Sequence, residues 1–301
     1  MRGISGGYDR WMDLGLCIPN MPDGASPAGI EAAADVAERL GWSTVWTTDH
    51  VLVPKAHAGE YGRIYEAIVT LAWVGARHPR VRLGTSVIVV PQRNAVLLAK
   101  ELATLDSLSG GRVVAGVGVG WNEAEFANVG AADRFHVRGA YLDETIGLWR
   151  HLWSGATEPF RGRFHRLEDF AFGPLPVQAP IPIVIGGRAE PALRRAGSLG
   201  DGYHSSSTGP AAYAKRLEVI SAAATAAGRP MPALSARVRV EFDAAAGSSY
   251  AMHGSPDEIA AEVRAFAALG VEHLALAFQT TDPDEVVRRS ERFDREVVPL
   301  V

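Results

Sequence analysis

The chain has 301 residues, a formal net charge of −4 and a single cysteine, Cys17. This length allows one large domain or two ordinary ones with a full core. The weak acidity, without any Lys/Arg-rich block, excludes a nucleic-acid-binding protein, and one cysteine excludes disulfide frameworks and cysteine-based metal sites. No apolar run approaches the ~20 residues of a membrane span. We therefore expect a cytoplasmic protein without a membrane partner, in which residues 1–12 form a loose N-terminal extension.

Strands and helices alternate from Asp13 onward. The predicted strands are residues 13–19, 43–48, 82–92, 113–119, 181–185, 202–205, 234–242 and 271–278. Helices between them begin at capping sequences such as Ser26-Pro27 and the capping box Ser255-Pro256-Asp257-Glu258. Eight strand–helix units predict an α/β protein with a (β/α)8 TIM barrel spanning residues 13–301. The alternative is a doubly wound sheet, which favours a Gly-rich turn after the first strand, and residues 20–23 contain no glycine.

Two further patterns refine this barrel. Three helices end in the same dipeptide, at Leu40-Gly41, Leu199-Gly200 and Leu269-Gly270, and each leads directly into a strand. Residues 154–180, after the fourth unit, contain RGRFHRLEDF and PLPVQAPIP, which predict a small hairpin and an extended proline-rich segment. We interpret this segment as an insertion into a single domain.

The third predicted strand, residues 82–92, is apolar except at Gly84, Thr85 and Ser86. Small residues in the middle of a buried strand leave no bulk to pack. One interpretation is a bulge or a tight barrel interior, and the other is a flat ligand lying against this backbone. Because the apolar run resumes at Val87, we expect the strand to recover its register at once, through a cis peptide bond between Ser86 and Val87 or a trans bulge.

The carboxyl ends of the strands are where a TIM barrel places its active site. The residues predicted there are Asn20, His50, Ser86 with Val87, Gly118 to Asn122, Gly186 to Arg188, and His204 with Ser205. Gly186-Gly187-Arg188 follows a strand and precedes a helix, so its backbone N–H groups can hold a phosphate, although an ordinary glycine turn has the same sequence. His50 can transfer a proton near neutral pH, or only bind the loop backbone.

Gly116, Gly118 and Gly120 alternate along the fourth strand. Alternate residues point to one face, so these glycines either admit a planar ring or allow tight barrel packing. Their spacing is not that of the dinucleotide-binding motif. The histidines lack metal-ligand spacing and no Gly-x-Ser-x-Gly elbow occurs, so we predict no metal site and no serine hydrolase.

Several segments together resemble the luciferase-like monooxygenase superfamily, most nearly its actinobacterial branch of deazaflavin (coenzyme F420)-dependent oxidoreductases. The matching segments are residues 82–91 (RLGTSVIVVP), 108–123 (LSGGRVVAGVGVGWNE), 139–149 around YLDE, 174–188 (PLPVQAPIPIVIGGR) and 194–204 (RRAGSLGDGYH). The resemblance implies a (β/α)8 barrel with an insertion, a homodimer, a small-molecule substrate and hydride transfer with F420. It also implies the cis peptide bond before Val87.

By this resemblance, Ser86 and Val87 press against the flavin ring, and Gly186, Gly187 and Arg188 hold its phosphate. His50 takes the place of a ring-proximal histidine and is the predicted catalytic residue. To the cofactor-binding set we add Gly118 and Ser205 from their positions at strand ends.

Two departures separate the chain from the members that oxidise sugar phosphates. Those members carry a glutamate at the position of Val119, and a tryptophan within the stretch that here reads Val51-Leu52-Val53-Pro54. The alternatives that remain open are an FMN-dependent monooxygenase, a flavin-binding protein without turnover, and a barrel lyase or isomerase. A lyase or isomerase would favour paired carboxylates or a lysine at the strand ends. The lysines are Lys55, Lys100 and Lys215, and none lies at a predicted strand end.

Overall fold

The computed structural model describes residues 12–21, 24–243 and 249–301. Residues 1–11 of the predicted N-terminal extension lie outside the described residues. Met12, at the end of that predicted extension, is instead buried in the hydrophobic core. The hydrophobic core therefore includes the residue directly before the first strand.

Eight parallel strands close into a barrel. The strands in chain order are β1 (Asp13–Cys17), β2 (Thr44–Thr47), β3 (Arg82–Thr85), β4 (Ile88–Val89), β5 (Val113–Gly118), β6 (Phe160–Arg161), β7 (Arg166–Leu167), β8 (Ile183–Gly186), β9 (Gly202–Ser206), β10 (Ala233–Phe242), β11 (Met252–Gly254) and β12 (His273–Ala277). Around the barrel the order is β1, β2, β3, β5, β8, β9, β10 and β12, and β12 pairs again with β1. This closure confirms the predicted (β/α)8 barrel. The doubly wound alternative is wrong, because an open sheet would leave two unpaired edges.

Helices surround the barrel on its outside. They are α1 (Pro27–Arg39), α2 (Ala58–Tyr61), α3 (Ala67–Arg77), α4 (Ala95–Ser109), α5 (Glu123–Asn128), α6 (Arg138–Trp153), α7 (Glu190–Ser198), α8 (Pro210–Ala226), α9 (Pro256–Ala268) and α10 (Pro283–Glu296). The predicted caps are present: Ser26 Oγ accepts a 3.1 Å hydrogen bond from the Gly29 N–H, and Ser255 with Glu258 forms the capping box. Two of the described helices, α2 and α5, are only 4 and 6 residues long, and the sequence analysis does not predict them.

The three Leu-Gly helix ends need their glycines for different physical reasons. Gly41 and Gly270 have φ of +70° and +78°, the left-handed conformation expected after a helix. Gly200 does not have a positive φ. A Cβ there would lie 2.8 Å from Ile185 Cγ1 and 2.9 Å from the Ala196 carbonyl oxygen. Gly200 is therefore required by close packing, and the common ending holds for two helices of the three.

The predicted strand 82–92 is not continuous. It breaks into β3 and β4, and residues Val90–Gln92 form a 3-10 helix. The peptide bond between Ser86 and Val87 is cis, as expected. β3 pairs with β2 on one side and β5 on the other, and β4 rejoins β5 through Ile88 and Val89. The small residues thus mark the place where the backbone leaves the barrel sheet and returns to it.

The alternating glycines of β5 face this break and are filled by it. A Cβ on Gly116 would lie 1.7 Å from the Thr85 carbonyl oxygen, and one on Gly118 would lie 2.6 Å from Val87 Cγ2. A Cβ on Gly120 would lie 2.6 Å from Val89 Cγ1. Protein atoms rather than open space lie over these glycines, so the structure favours tight barrel packing over a glycine face that receives a ring.

The segment after α6 contains the predicted hairpin, in which β6 and β7 pair antiparallel. Glu144 of α6 anchors it by accepting hydrogen bonds from three successive backbone N–H groups, those of Arg163, Phe164 and His165. Among the described helices, none combines the length and apolar character that crossing a membrane requires.

Candidate active site

The predicted site residues lie at the carboxyl ends of the barrel strands. Most of them form two groups, and His50 lies apart from both. The first group surrounds Val87, which is the one residue from Leu83 to Val90 that is not fully buried. A Cβ on Gly118 or Gly186 would lie 2.6 Å or 2.7 Å from the Val87 methyl groups. These two glycines therefore shape the pocket that holds the Val87 side chain. Val87 itself is partly exposed, and its apolar side chain suits the face of a flat ring.

Ser86 is held by a relay of neutral hydrogen bonds. Its hydroxyl lies 2.9 Å from His204 Nε2, and His204 Nδ1 lies 2.8 Å from Ser235 Oγ. Ser235 in turn donates to the Tyr203 carbonyl oxygen at 3.0 Å, so it must accept from Nδ1–H. His204 Nε2 therefore accepts a hydrogen bond from the Ser86 hydroxyl. This direction orients the Ser86 side chain into the barrel.

A tryptophan and a second histidine complete the interior behind this relay. The Trp46 ring stacks on His204 at 4.5 Å, and its indole N–H donates to His273 Nε2 at 3.0 Å. Burial, strengthened by neighbouring positive groups, lowers the pKa of both His204 and His273 to about 3. Both imidazoles are consequently uncharged and belong to the packed interior.

Arg237 of β10 reaches the same region, and the sequence did not indicate it. Its Nη1 donates to the Ser86 carbonyl oxygen and to Thr48 Oγ1, both at 2.9 Å. No carboxylate forms an ion pair with Arg237 in the described parts of the chain. The guanidinium thus ties the end of β2 to the break in β3 and places a positive charge at the barrel mouth.

The second group lies where β8 and β9 end, and it has the character of an anion site. Gly187 has φ of +128°, and helix α7 begins three residues later, at Glu190, without a side-chain cap. Helix α8, after β9, also begins without a side-chain cap. Each first turn contains a proline, which has no N–H, so these helix starts favour a phosphate mainly through their partial positive charge and the N–H groups that remain.

Arginines flank this corner of the barrel. Arg188 is exposed, and Arg216 of α8 donates to the Tyr203 hydroxyl, which donates to the Gly187 carbonyl oxygen. Neither arginine has a carboxylate partner among residues 12–21, 24–243 and 249–301. Arg216 was not identified from the sequence.

Ser205 supplies the most direct indication that something binds here. It follows His204, whose Cα pairs with that of Gly186, and it is fully buried. Its hydroxyl has no hydrogen-bond partner among the described residues. A buried hydroxyl without a partner is costly, and at this position, beside the end of β8 and shortly before helix α8, a ligand oxygen can complete it. The set of Gly187, Arg188, Ser205 and Arg216 therefore fits a phosphate-bearing group.

His50 lies at the end of β2 in a different environment. Its Nδ1 is 2.9 Å from Glu125 Oε2, and the Val51 N–H donates to Glu125 Oε1 at 2.7 Å. The Tyr61 ring lies 4.2 Å from the imidazole and the Trp121 ring 6.1 Å, measured between centroids. Burial, together with the neighbouring Glu60, raises the pKa of Tyr61 to about 12, so its hydroxyl stays protonated.

Asp49, next to His50, links it to the break before Val87. Its fully buried carboxylate accepts from the Val89 N–H at 2.8 Å and from Arg93 at 2.6 Å. Arg93 also pairs with Glu66 at 2.8 Å. His50 and the segment from Ser86 to Val89 are therefore held in one frame, by Asp49 from one side and Arg237 from the other.

Glu125 is not among the site residues predicted from the sequence, because the short helix α5 that carries it is not among the predicted elements. A signal for it was present. Asn122 followed three residues later by Glu125 is the spacing of a capped helix start, and the Asn122 side chain does accept from the Glu125 N–H at 3.2 Å. Arg216 and Arg237 have no comparable local signal.

Comparison with known proteins agrees with this architecture. The family profile described as luciferase-like monooxygenase matches residues 12–266. An F420-dependent glucose-6-phosphate dehydrogenase from Kineococcus radiotolerans is 35% identical over 179 residues, covering 59% of this chain and 52% of that protein. The protein of the same name from Nocardia farcinica is 31% identical over 238 residues, covering 76% of this chain and 69% of that protein. The chain thus spans about half the length of the first of these relatives.

A solved structure gives the same fold. An F420-dependent secondary alcohol dehydrogenase in complex with an F420–acetone adduct superposes with a TM-score of 0.82 at 18% identity, covering 96% of this chain and 99% of that one. At this identity the likeness concerns the fold. The profile match over most of the barrel, with the two dehydrogenases, shows that the chain belongs to the luciferase-like monooxygenase family.

Proposed function

We propose that this protein is an oxidoreductase that binds coenzyme F420 and exchanges a hydride with a small organic substrate. The observation that carries the proposal is the pairing, at one barrel mouth, of a partly exposed Val87 with the unpartnered Ser205 hydroxyl beside two helices without side-chain caps. The first place suits a flat ring and the second suits its phosphate. The relatives named as F420-dependent dehydrogenases support this cofactor.

The chain's own residues would divide the work as follows. Ser86 and Val87 would form the surface for the ring, with Gly118 and Gly186 making room for the Val87 side chain behind it. Gly187, Arg188 and Ser205 would hold the phosphate, with Arg216 as an addition from the structure. When bound, F420 supplies two-electron hydride transfer at its ring carbon C5. His50 is then the group that accepts or returns a proton at the substrate oxygen, since its Nε2 has no partner among the described residues.

The residues around His50 favour a substrate with an apolar surface. Val51, Leu52 and Trp121 are about half exposed at this rim, and the Tyr61 ring lies beside them. Val119, which replaces the glutamate of the sugar-phosphate oxidisers, packs against the hydrophobic core. We therefore propose a small alcohol or carbonyl compound with an apolar or aromatic group, rather than a sugar phosphate. A homodimer and a cytoplasmic location remain predictions from the resemblance and the sequence.

Titration of the purified protein with F420 and with FMN, followed by fluorescence, tests the proposal. We expect F420 to bind more tightly, because the family resemblance is nearest to the F420-dependent branch. Arg188→Gln should weaken binding, because it removes a positive charge from the phosphate corner, while Arg80→Gln should not. Arg80 is an equally exposed arginine before β3, at the opposite end of the barrel. If FMN co-purifies at full occupancy and F420 fails to displace it, the protein is instead an FMN enzyme.

A further inference from the structure

The Glu125 carboxylate is the nearest charged group to His50, and nothing in the family resemblance assigned it a role. The two side chains come from elements 75 residues apart and meet at 2.9 Å. Glu125 is 1% exposed and His50 is 7% exposed. Such burial is unusual for a carboxylate and indicates a defined partner.

The local structure keeps Glu125 ionised. Burial by itself raises the pKa of this carboxyl, but hydrogen bonds from His50 and from the Val51 N–H outweigh it, and the pKa is lowered. Gln92 lies close to the same carboxylate without meeting hydrogen-bond geometry. An ionised carboxylate only accepts hydrogen bonds, so the proton between the two side chains belongs to His50 Nδ1.

We infer that Glu125 is a positioning residue that holds His50 in the Nδ1–H tautomer and leaves Nε2 as the nitrogen that exchanges a proton with substrate. The inference rests on the proposed function for its catalytic consequence. When Nε2 takes a proton from a substrate oxygen, the His50–Glu125 pair passes from a net charge of −1 to neutrality. Only that one proton moves, and the carboxylate stabilises the imidazolium that forms.

The other polar groups around the pair do not compete for this role. The Tyr61 hydroxyl stays protonated, with its pKa at about 12. Asp49 is committed to Arg93 and to the Val89 N–H. Glu123, on the same helix as Glu125, is exposed and its carboxylate lies 3.5 Å from His136 Nε2. The His57 ring contacts the Trp121 ring instead, with 5.0 Å between their centroids.

Both carboxylate oxygens of Glu125 are in use, and this makes a sharp test. Oε2 faces His50 Nδ1–H and Oε1 faces the Val51 N–H. In Glu125→Gln the amide retains one acceptor oxygen and gains a donor, so it can satisfy only one of the two N–H groups. Glu123→Gln, an exposed change on the same helix, is the matched control.

The direct measurement is nitrogen-15 NMR of the histidines in the protein without cofactor, with the His50 signals assigned from their loss in His50→Ala. At a pH high enough to leave the imidazole uncharged, we expect wild type and Glu123→Gln to show His50 as the Nδ1–H tautomer. Glu125→Gln should show a mixture of tautomers. An Nε2–H tautomer in wild type would overturn the inference, and this result does not depend on any variant folding.

Turnover with F420 supplies the second readout. Glu125→Gln should lower kcat about 10²-fold, as loss of a histidine's supporting carboxylate does elsewhere, with F420 affinity unchanged within about 2-fold. Unchanged kcat with unchanged tautomer reduces Glu125 to a structural residue. These assays use a panel of small apolar and aromatic alcohols with oxidised F420. Failure of wild type to reduce F420 with any of them refutes the proposed function, whereas the NMR result still decides the role of Glu125.

Discussion

Ser205→Ala is expected to change stability and cofactor affinity in opposite directions. In the protein alone the Ser205 hydroxyl is buried and has no partner among the described residues. An unsatisfied buried polar group costs about 1–3 kcal/mol, and the small void left by the missing oxygen offsets part of the gain. We therefore expect the free energy of unfolding to rise by about 1 kcal/mol, which raises the Tm by about 2 °C for a chain of this size.

With cofactor present, the same change removes a donor to the phosphate. A hydrogen bond to a charged group contributes about 1.5–3 kcal/mol, so the Kd for F420 should rise about 10- to 150-fold. Fluorescence titration measures the Kd, and differential scanning calorimetry without cofactor measures the Tm.

Ser290→Ala is the matched control for both measurements. Ser290 lies in helix α10, is fully buried, and also has a hydroxyl without a partner among the described residues. Its replacement should raise the Tm in the same way and leave the Kd unchanged. If Ser205→Ala leaves the Kd unchanged too, the phosphate binds elsewhere. If it lowers the Tm, the hydroxyl has a partner in the free protein and the reasoning fails.

The other predictions concern the proton donor, the phosphate loop and the buried histidines. His50→Ala should lower kcat about 10²- to 10⁴-fold with little change in F420 affinity, and equal steady-state rates would make His50 structural. Gly187→Asp should abolish F420 binding, because the added carboxylate repels the phosphate. A Cβ at this position would lie 2.7 Å from Ala192 Cβ, so circular dichroism must first show that the variant keeps its fold. His204 and His273 have pKa values of about 3, below the ~6.5 of an unfolded histidine, so the unfolded chain binds protons first as the pH falls. The stability that depends on these uncharged histidines is fully present above pH ~6.5 and is lost as the pH falls toward 3. Urea unfolding should show a free energy of unfolding up to about 2 kcal/mol lower per histidine at pH 5 than at pH 7, and equal free energies at the two pH values would contradict this prediction.

Local signals in the sequence were sufficient to derive the barrel. Ser26 and Ser255 cap helices because a side-chain oxygen can reach an N–H three residues ahead, whatever the rest of the chain does. Alternation of such helices with apolar strands leaves few arrangements that bury both. The break at Ser86 was also visible locally, as small residues inside a bulky strand.

Local signals were weaker where close packing decides. Gly116 and Gly118 were open to two interpretations, because the atoms that fill the space beside them belong to Thr85 and Val87, about 30 residues earlier. Gly200 shares a dipeptide with two helix-ending glycines, yet its reason is contact with Ile185. A sequence shows that a residue is small but not what lies against it.

By itself the sequence determined the barrel and the positions of His50, Ser86, Gly187 and Ser205 at strand ends, since these follow from spacing along one chain. Its segments also carried the resemblance to the family. Only the tertiary structure showed that Glu125 meets His50 and that Arg237 meets Ser86, 75 and 151 residues apart. Hydrogen bonds between such distant residues depend on how the barrel closes, because closure sets which strand ends face one another. That is why the predicted proton donor could be found in the sequence and the carboxylate that orients it could not.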